Sequence, residues 1–163
     1  NDTLSTESQW QQMGRTLFGE VVGDQFGTSL ALSSDGLTVA AGADENDAAG
    51  LNAGHVRAFH FIEGDWRQLG QTLVAMAAKD DFGFSLAMDG TGSILAVGAW
   101  EHQETKGYVR VFELRNETWQ QVGSTIAGDV EGSQFGISVD LSDDGTVLVV
   151  GANEYNFGQK DKP

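Results

Sequence analysis

The chain has 163 residues, and its 9 Lys and Arg stand against 24 Asp and Glu, a formal net charge of −15. That balance excludes a nucleic-acid partner, which needs a basic face to neutralise phosphates, and polybasic attachment to a membrane surface. The absence of cysteine removes disulfides, thiol catalysis and cysteine-ligated metals, while 22 glycines and one proline suit a β-rich chain with many tight turns.

In chain order, residues 1–9 read as an N-terminal extension, and Trp10 to Phe18 as a single strand. A first four-stranded unit follows over 26–74. Its first strand runs from Phe26 to Leu32, where Leu30 and Leu32 share one face and Ser29 and Ala31 the other. Ser34-Asp35-Gly36 supplies the turn, since Asp-Gly between apolar runs is a strong hairpin signal. The second strand is 38–43, a variable loop covers Asp44 to Ala53, the third strand is 55–62, and the fourth opens at Trp66.

The same order returns over 82–127 and, for two strands only, over 135–152; residues 153–163 read as a tail. Val147 to Val150 is apolar on both faces and is expected to be a buried strand. No segment carries a sustained 3.6-residue apolar period with caps, so helix content should be minimal. No apolar run approaches the ~18 residues of a membrane span.

Four landmarks repeat with shared separations of 56 and 53 residues: Trp10, Trp66 and Trp119; Phe26, Phe82 and Phe135; Gly42, Gly98 and Gly151; and Gly14, Gly70 and Gly123. The difference of three residues lies between Gly42 and Gly54, which marks a surface loop, because strand pairing forbids insertions elsewhere. Antiparallel four-stranded units at this period predict an all-β fold of β-propeller blades. The strands stop short of three blades, whereas propellers typically close with about 4–8. The chain is therefore expected to be a partial propeller or fragment, completed by a longer chain, by self-association or by another partner.

The motifs Phe26-Gly27, Phe82-Gly83 and Phe135-Gly136, with the Gly-Ala pairs at Gly42, Gly98 and Gly151, resemble FG-GAP repeats. The wider pattern Trp-x-Gln-x-Gly, Phe-Gly-x-Ser and Gly-x-Val-Arg-x-Phe is similar to repeat proteins of diatoms, marine microbes and bacteria. The resemblance implies the propeller heads found in integrin α-chains and other secreted or cell-surface proteins. It departs from the family where Asp44, Trp100 and Asn153 replace the Pro after Gly-Ala. The Asp-Gly turns also offer only one or two carboxylates each, too few for the six to eight oxygens calcium takes.

Among side chains that invite a function, the repeated Phe-Gly pairs and tryptophans are expected to pack between and within blades. Ser29, Ser85 and Ser138 recur without a nucleophile elbow or a triad partner and read as architectural. His55, His60 and His102 have no ligand spacing, so no metal and no cofactor is expected. Asp44, Glu45 and Asp47 read as a solvated acidic loop that, with Trp100 and His102, presents a partner-binding surface. Asn1 and Asn116 head glycosylation sequons. The expectation is a non-catalytic module that binds protein or glycan outside the cell. The alternatives are a structural subunit of a large assembly and, third, a propeller-type glycan hydrolase or lyase.

Overall fold

The computed structural model describes residues 10–153. In chain order its elements are β1 (Leu30–Leu32), β2 (Thr38–Ala43), β3 (His55–Ile62), β4 (Asp65–Gln68), β5 (Leu73–Val74), β6 (Ser85–Met88) and β7 (Ile94–Ala99). One helical turn, α1 (His102–Thr105), precedes β8 (Tyr108–Arg115), β9 (Thr118–Gln121), β10 (Ile126–Ala127), β11 (Ser138–Leu141) and β12 (Leu148–Gly151). The first blade has the order β1-β2-β3-β4, with β5 also on β3. In the second, β6, β7, β8 and β10 run in order and β9 also pairs with β8; β11 and β12 form a two-stranded third blade. All pairs are antiparallel, and the register repeats: Gly42 faces Val56 as Gly98 faces Val109. The fold is thus an all-β, open set of propeller blades.

The repeated residues make the joints between blades. The Ser29 hydroxyl donates to the Gly83 carbonyl across the first joint, and Ser85 donates to the Gly136 carbonyl at 2.7 Å across the second. Glycine is required beside each contact, because a Cβ on Gly42 or Gly98 would stand 2.1 Å from that same carbonyl oxygen. On the outer rim, Trp66 Nε1 donates to the Met13 carbonyl at 2.8 Å and Trp119 Nε1 to the Leu69 carbonyl at 2.9 Å. At the inner turns, Ser34 N donates to Gly90 O at 2.9 Å, and Gly90 N to Asp143 O at 2.8 Å. Between the sheets, Phe82 packs against Tyr108 and Phe112 in a core with Val56, Leu95, Val97 and Trp119. The Arg of Gly-x-Val-Arg-x-Phe covers the aromatic of the Phe-Gly pair: the Arg57 guanidinium lies 4.3 Å from the Phe26 centroid, and Arg110 5.5 Å from that of Phe82.

Several expectations are corrected. Residues 10–18 form no strand, because no third strand lies beside them to pair with, and Trp10 is fully exposed (103%) whereas Trp119 is buried (3%). The first strands begin three or four residues after Phe26, Phe82 and Phe135. The Phe-Gly pairs instead make a turn in which Gln25, Asp81 and Gln134 take φ of 53°, 52° and 53°. In the strand expected to be buried on both sides, Val147 and Val149 are exposed while Leu148 and Val150 are half-buried, since no neighbour among the described residues covers the Val149 face; Leu30 and Leu32 are exposed as well.

Candidate functional site

The side chains with the most perturbed surroundings collect on one rim. Three segments meet there: the 44–53 loop of the first blade, the 76–82 segment that leads into the second, and the 100–107 turn. Backbone bonds hold them together, from Asp81 N to Asn52 O and from Phe82 N to Ala53 O.

Asp80, 1% exposed, is the clamp of this rim. It accepts from Met76 N and Ala77 N at 3.1 and 2.9 Å and from the Tyr108 hydroxyl at 2.9 Å, while His102 Nδ1 lies 2.5 Å away. Burial and the adjacent Asp80 carboxylate raise the Tyr108 phenol well above its ordinary pKa, so it stays a hydrogen-bond donor. The first blade repeats the device in weaker form: Asp24 accepts from Val21 N at 3.2 Å and from Asn46 Nδ2 at 2.7 Å. Asn46 and His102 occupy equivalent positions, two residues beyond Asp44 and Trp100. The Asp80–His102 contact therefore belongs first to the scaffold.

Asp81 does not repeat. Its equivalents are Gln25 and Gln134, so the fold asks there for a residue tolerant of positive φ and not for a charge. Asp81 is 8% exposed, and its Oδ1 finds no hydrogen-bond partner. Burial first, then the charges of Glu101, Asp44, Glu45 and Asp80, push its carboxyl up to about 7. Asp44 resembles it: 5% exposed, with an unpartnered Oδ1 and a pKa raised by burial against the opposing hydrogen bond from Thr28. Each of these buried carboxyls leaves one oxygen unpartnered, and the Asp44 charge acts on Asp81, a costly arrangement of the kind concentrated at functional sites. On the same rim, an open cleft of about 520 Å³ is lined by Glu20, Asp24, Glu45, Asn46, Asp47 and Asn52, among others, but not by Asp44 or Asp81. Among the described residues, no three His, Asp or Glu side chains are grouped as a metal would require.

The sequence-predicted surface is rearranged by these contacts. Asp44 is buried and Glu45 half-buried; only Asp47 of the three is exposed, and its carboxylate caps Asn52 N at 2.8 Å. The loop is not simply solvated acid, because the second blade packs over its base. Trp100 is half-buried against Phe84, with its indole N–H unpartnered, and His102 turns inward to Asp80. Asn116 is exposed in a turn at φ 49°, and Asn1 lies outside the described residues. Sequence reasoning missed Asp80, Asp81 and Tyr108; the available signal was the Gln-to-Asp departure within an otherwise faithful repeat.

No family profile matches the chain, and no curated protein matches it by sequence. Among solved structures, a periplasmic gluconolactonase from Pseudomonas aeruginosa matches with a TM-score of 0.53 and 18% identity, over 77% of this chain and 36% of that one. This chain thus spans about a third of the length of the structure it matches. At that identity the likeness shows the fold. It also corrects the expectation of a non-catalytic adhesion module: the propeller matched is that of an enzyme, and missing catalytic motifs are no guide to function on this scaffold. Among the described residues no helix is long and apolar enough to cross a membrane.

Proposed function

We propose that the loop rim of these blades carries a hydrolytic site in which Asp81 takes and returns the proton. The observation that carries the reading is the Asp81 carboxyl itself. It is buried and unpartnered, it is held to about 7, and it stands where the repeat otherwise has Gln. A carboxyl poised near neutrality populates both forms, as general acid–base catalysis requires. The cleft is lined by Glu45, whose charge acts on Asp81, and by Asn52, whose backbone carbonyl accepts the Asp81 N–H, which sets the cleft and this carboxyl on the same rim.

The acidic lining disfavours anions and suits a neutral, hydroxyl-rich molecule that donates hydrogen bonds to carboxylates. A sugar lactone, the substrate class named for the matched enzyme, fits that description. Water would attack the lactone carbonyl, Asp81 would accept its proton, and the protonated carboxyl would return it to the departing ring oxygen. The periplasmic setting of the matched enzyme supports a site of action outside the cytosol. The roles of the Phe-Gly and Gly-Ala residues at the joints support blades of the FG-GAP kind.

The test is hydrolysis of a panel of neutral sugar lactones by the wild-type chain and Asp81→Asn. Turnover above buffer that is lost at least about 100-fold in the variant supports the proposal, a loss typical of removing a general base. Turnover unchanged by the substitution, or absent from the folded wild type, overturns it.

A further inference from the structure

Asn116 stands on a turn that the hydrolytic reading leaves unused, and we propose that it is an acceptor for an N-linked glycan. The sequon Asn116-Glu117-Thr118 closes the hairpin between β8 and β9, where Arg115 pairs with Thr118 and the two loop residues take φ of 49° and 58°. Two central residues at positive φ make the tight turn that suits twisted strands, and Asn tolerates that backbone. The turn uses the backbone of Asn116 and leaves its side chain idle. Among the described residues nothing hydrogen-bonds its amide group, and Thr118 Oγ1 donates only to the Asn116 backbone carbonyl, at 3.4 Å. Asn46, in contrast, commits its Nδ2 to Asp24 at 2.7 Å.

Accessibility at this tip follows from the blade and not from where the chain begins or ends. Residues 115–118 are all exposed, while the next residue, Trp119, is buried. Trp119 ties the base of the hairpin to the first blade, its backbone N–H donating to Gln71 Oε1 at 3.0 Å and its indole N–H to the Leu69 carbonyl at 2.9 Å. The equivalent turn of the first blade, Glu63-Gly64-Asp65, has a complete second blade beside it, and the Glu63 side chain there is still 71% exposed. A following blade therefore does not cover this tip. The repeat asks for neither residue of the sequon: Asn116 replaces Glu63, and Thr118 replaces Asp65, whose carboxylate holds Arg15. β8 carries the chain from Tyr108, on the candidate rim, to Arg115, so Asn116 lies roughly 26 Å from that rim at ~3.3 Å per residue. A glycan there leaves the cleft open.

The chemistry needs a partner enzyme and an activated sugar. The Asn116 amide nitrogen attacks the anomeric carbon of an oligosaccharide carried on a lipid pyrophosphate. The N–C bond forms as the C–O bond to the pyrophosphate breaks; the lipid pyrophosphate leaves with that electron pair, and the amide proton passes to a base of the oligosaccharyltransferase. Thr118 supplies the hydroxyl that the transferase reads two residues on, and Glu117 between them is not proline. Such transfer takes place outside the cytosol, so the proposal rests on the site of action given above and is independent of the Asp81 chemistry.

To test it, the chain is expressed behind a cleavable secretion signal in glycosylating eukaryotic cells, with Asn1→Gln so that Asn116 heads the one sequon left. The secreted protein, shown folded by circular dichroism, is expected to exceed its 17.4 kDa polypeptide mass by a whole oligosaccharide, placed on Asn116 by peptide mass spectrometry. Asn116→Asp keeps a residue tolerant of positive φ, and Thr118→Val keeps the asparagine and a β-branched strand residue. Each should lose that gain in mass, whereas Thr118→Ser should keep it. Protein left unmodified at Asn116, whether secreted or retained, overturns the proposal. So does a glycan found only on chain retained unfolded in the cell, or one that survives Thr118→Val. Lactone turnover is measured on the unglycosylated chain and reports on the Asp81 reading alone, so the two fail separately.

Discussion

Replacing Asp81 by Asn should stabilise the folded chain above neutral pH and do little in acid. The amide keeps the shape of the side chain, tolerates the φ of 52° at this position, and resembles the glutamines of the two equivalent turns. The carboxyl titrates near 7 when folded against 3.8 when unfolded. Below about pH 4 it is neutral in both states and the substitution changes little. Between roughly 4 and 7 the unfolded chain has released a proton that the folded chain retains, so wild-type stability falls as pH rises through this window. Above 7 the full cost of the buried charge remains. At about 1.36 kcal/mol per pKa unit the difference between 3.8 and 7 bounds that cost at about 4 kcal/mol. Effective screening around charges in folded proteins is much stronger than in a dry interior, which reduces the expected gain to about 1–2 kcal/mol. For a chain of this length that is a rise in Tm of roughly 2–8 °C. The assay is urea unfolding of both proteins from pH 4 to pH 9, compared as a difference so that the other titrating groups largely cancel. A difference that stays flat across the range, or a variant less stable than wild type at pH 8, refutes the reasoning. Loss of lactone hydrolysis with a gain in stability would be the trade expected of a functional group held at the expense of the fold.

The joints between blades give two further expectations. Gly98→Ala sets a methyl 2.1 Å from the Gly136 carbonyl oxygen, a backbone atom that moves only with the third blade, and should cost about 3 kcal/mol; Gly64→Ala, at φ 83° in open space, should cost only about 1 kcal/mol. Thermal unfolding of the pair separates collision from backbone strain, and equal losses would argue against the close approach. Trp119→Phe keeps a buried ring but removes the donor to the Leu69 carbonyl, for an expected loss of about 1 kcal/mol in urea at unchanged m-value.

The repeat made most of the architecture legible. Strand pairing admits no insertions, so the shared spacing of Trp66 with Trp119 and of Gly42 with Gly98 predicted blade boundaries and placed the variable loop. The roles of Ser29 and Ser85 as architecture were readable for the same reason. Contacts between blades were not, because they join positions 54 and 51 residues apart whose partner atoms are backbone carbonyls, identical for every residue type. Sequence also misjudged Trp10 and Val149: their pattern is that of buried residues, and exposure depends on what packs over their faces.

What the amino-acid order determined by itself is therefore the repeating unit, the turn that starts each blade, and the glycine spaces that let one blade approach the next; the expected fourth strand is in the structure two short strands, β4 and β5 or β9 and β10, both paired with the third. Tertiary structure alone decided which side chains are perturbed. Asp44 and Asp81 are ordinary acids in the chain, but stacking two blades buries both and leaves one oxygen of each unpartnered, and a buried carboxyl answers to its neighbours rather than to its place in the sequence.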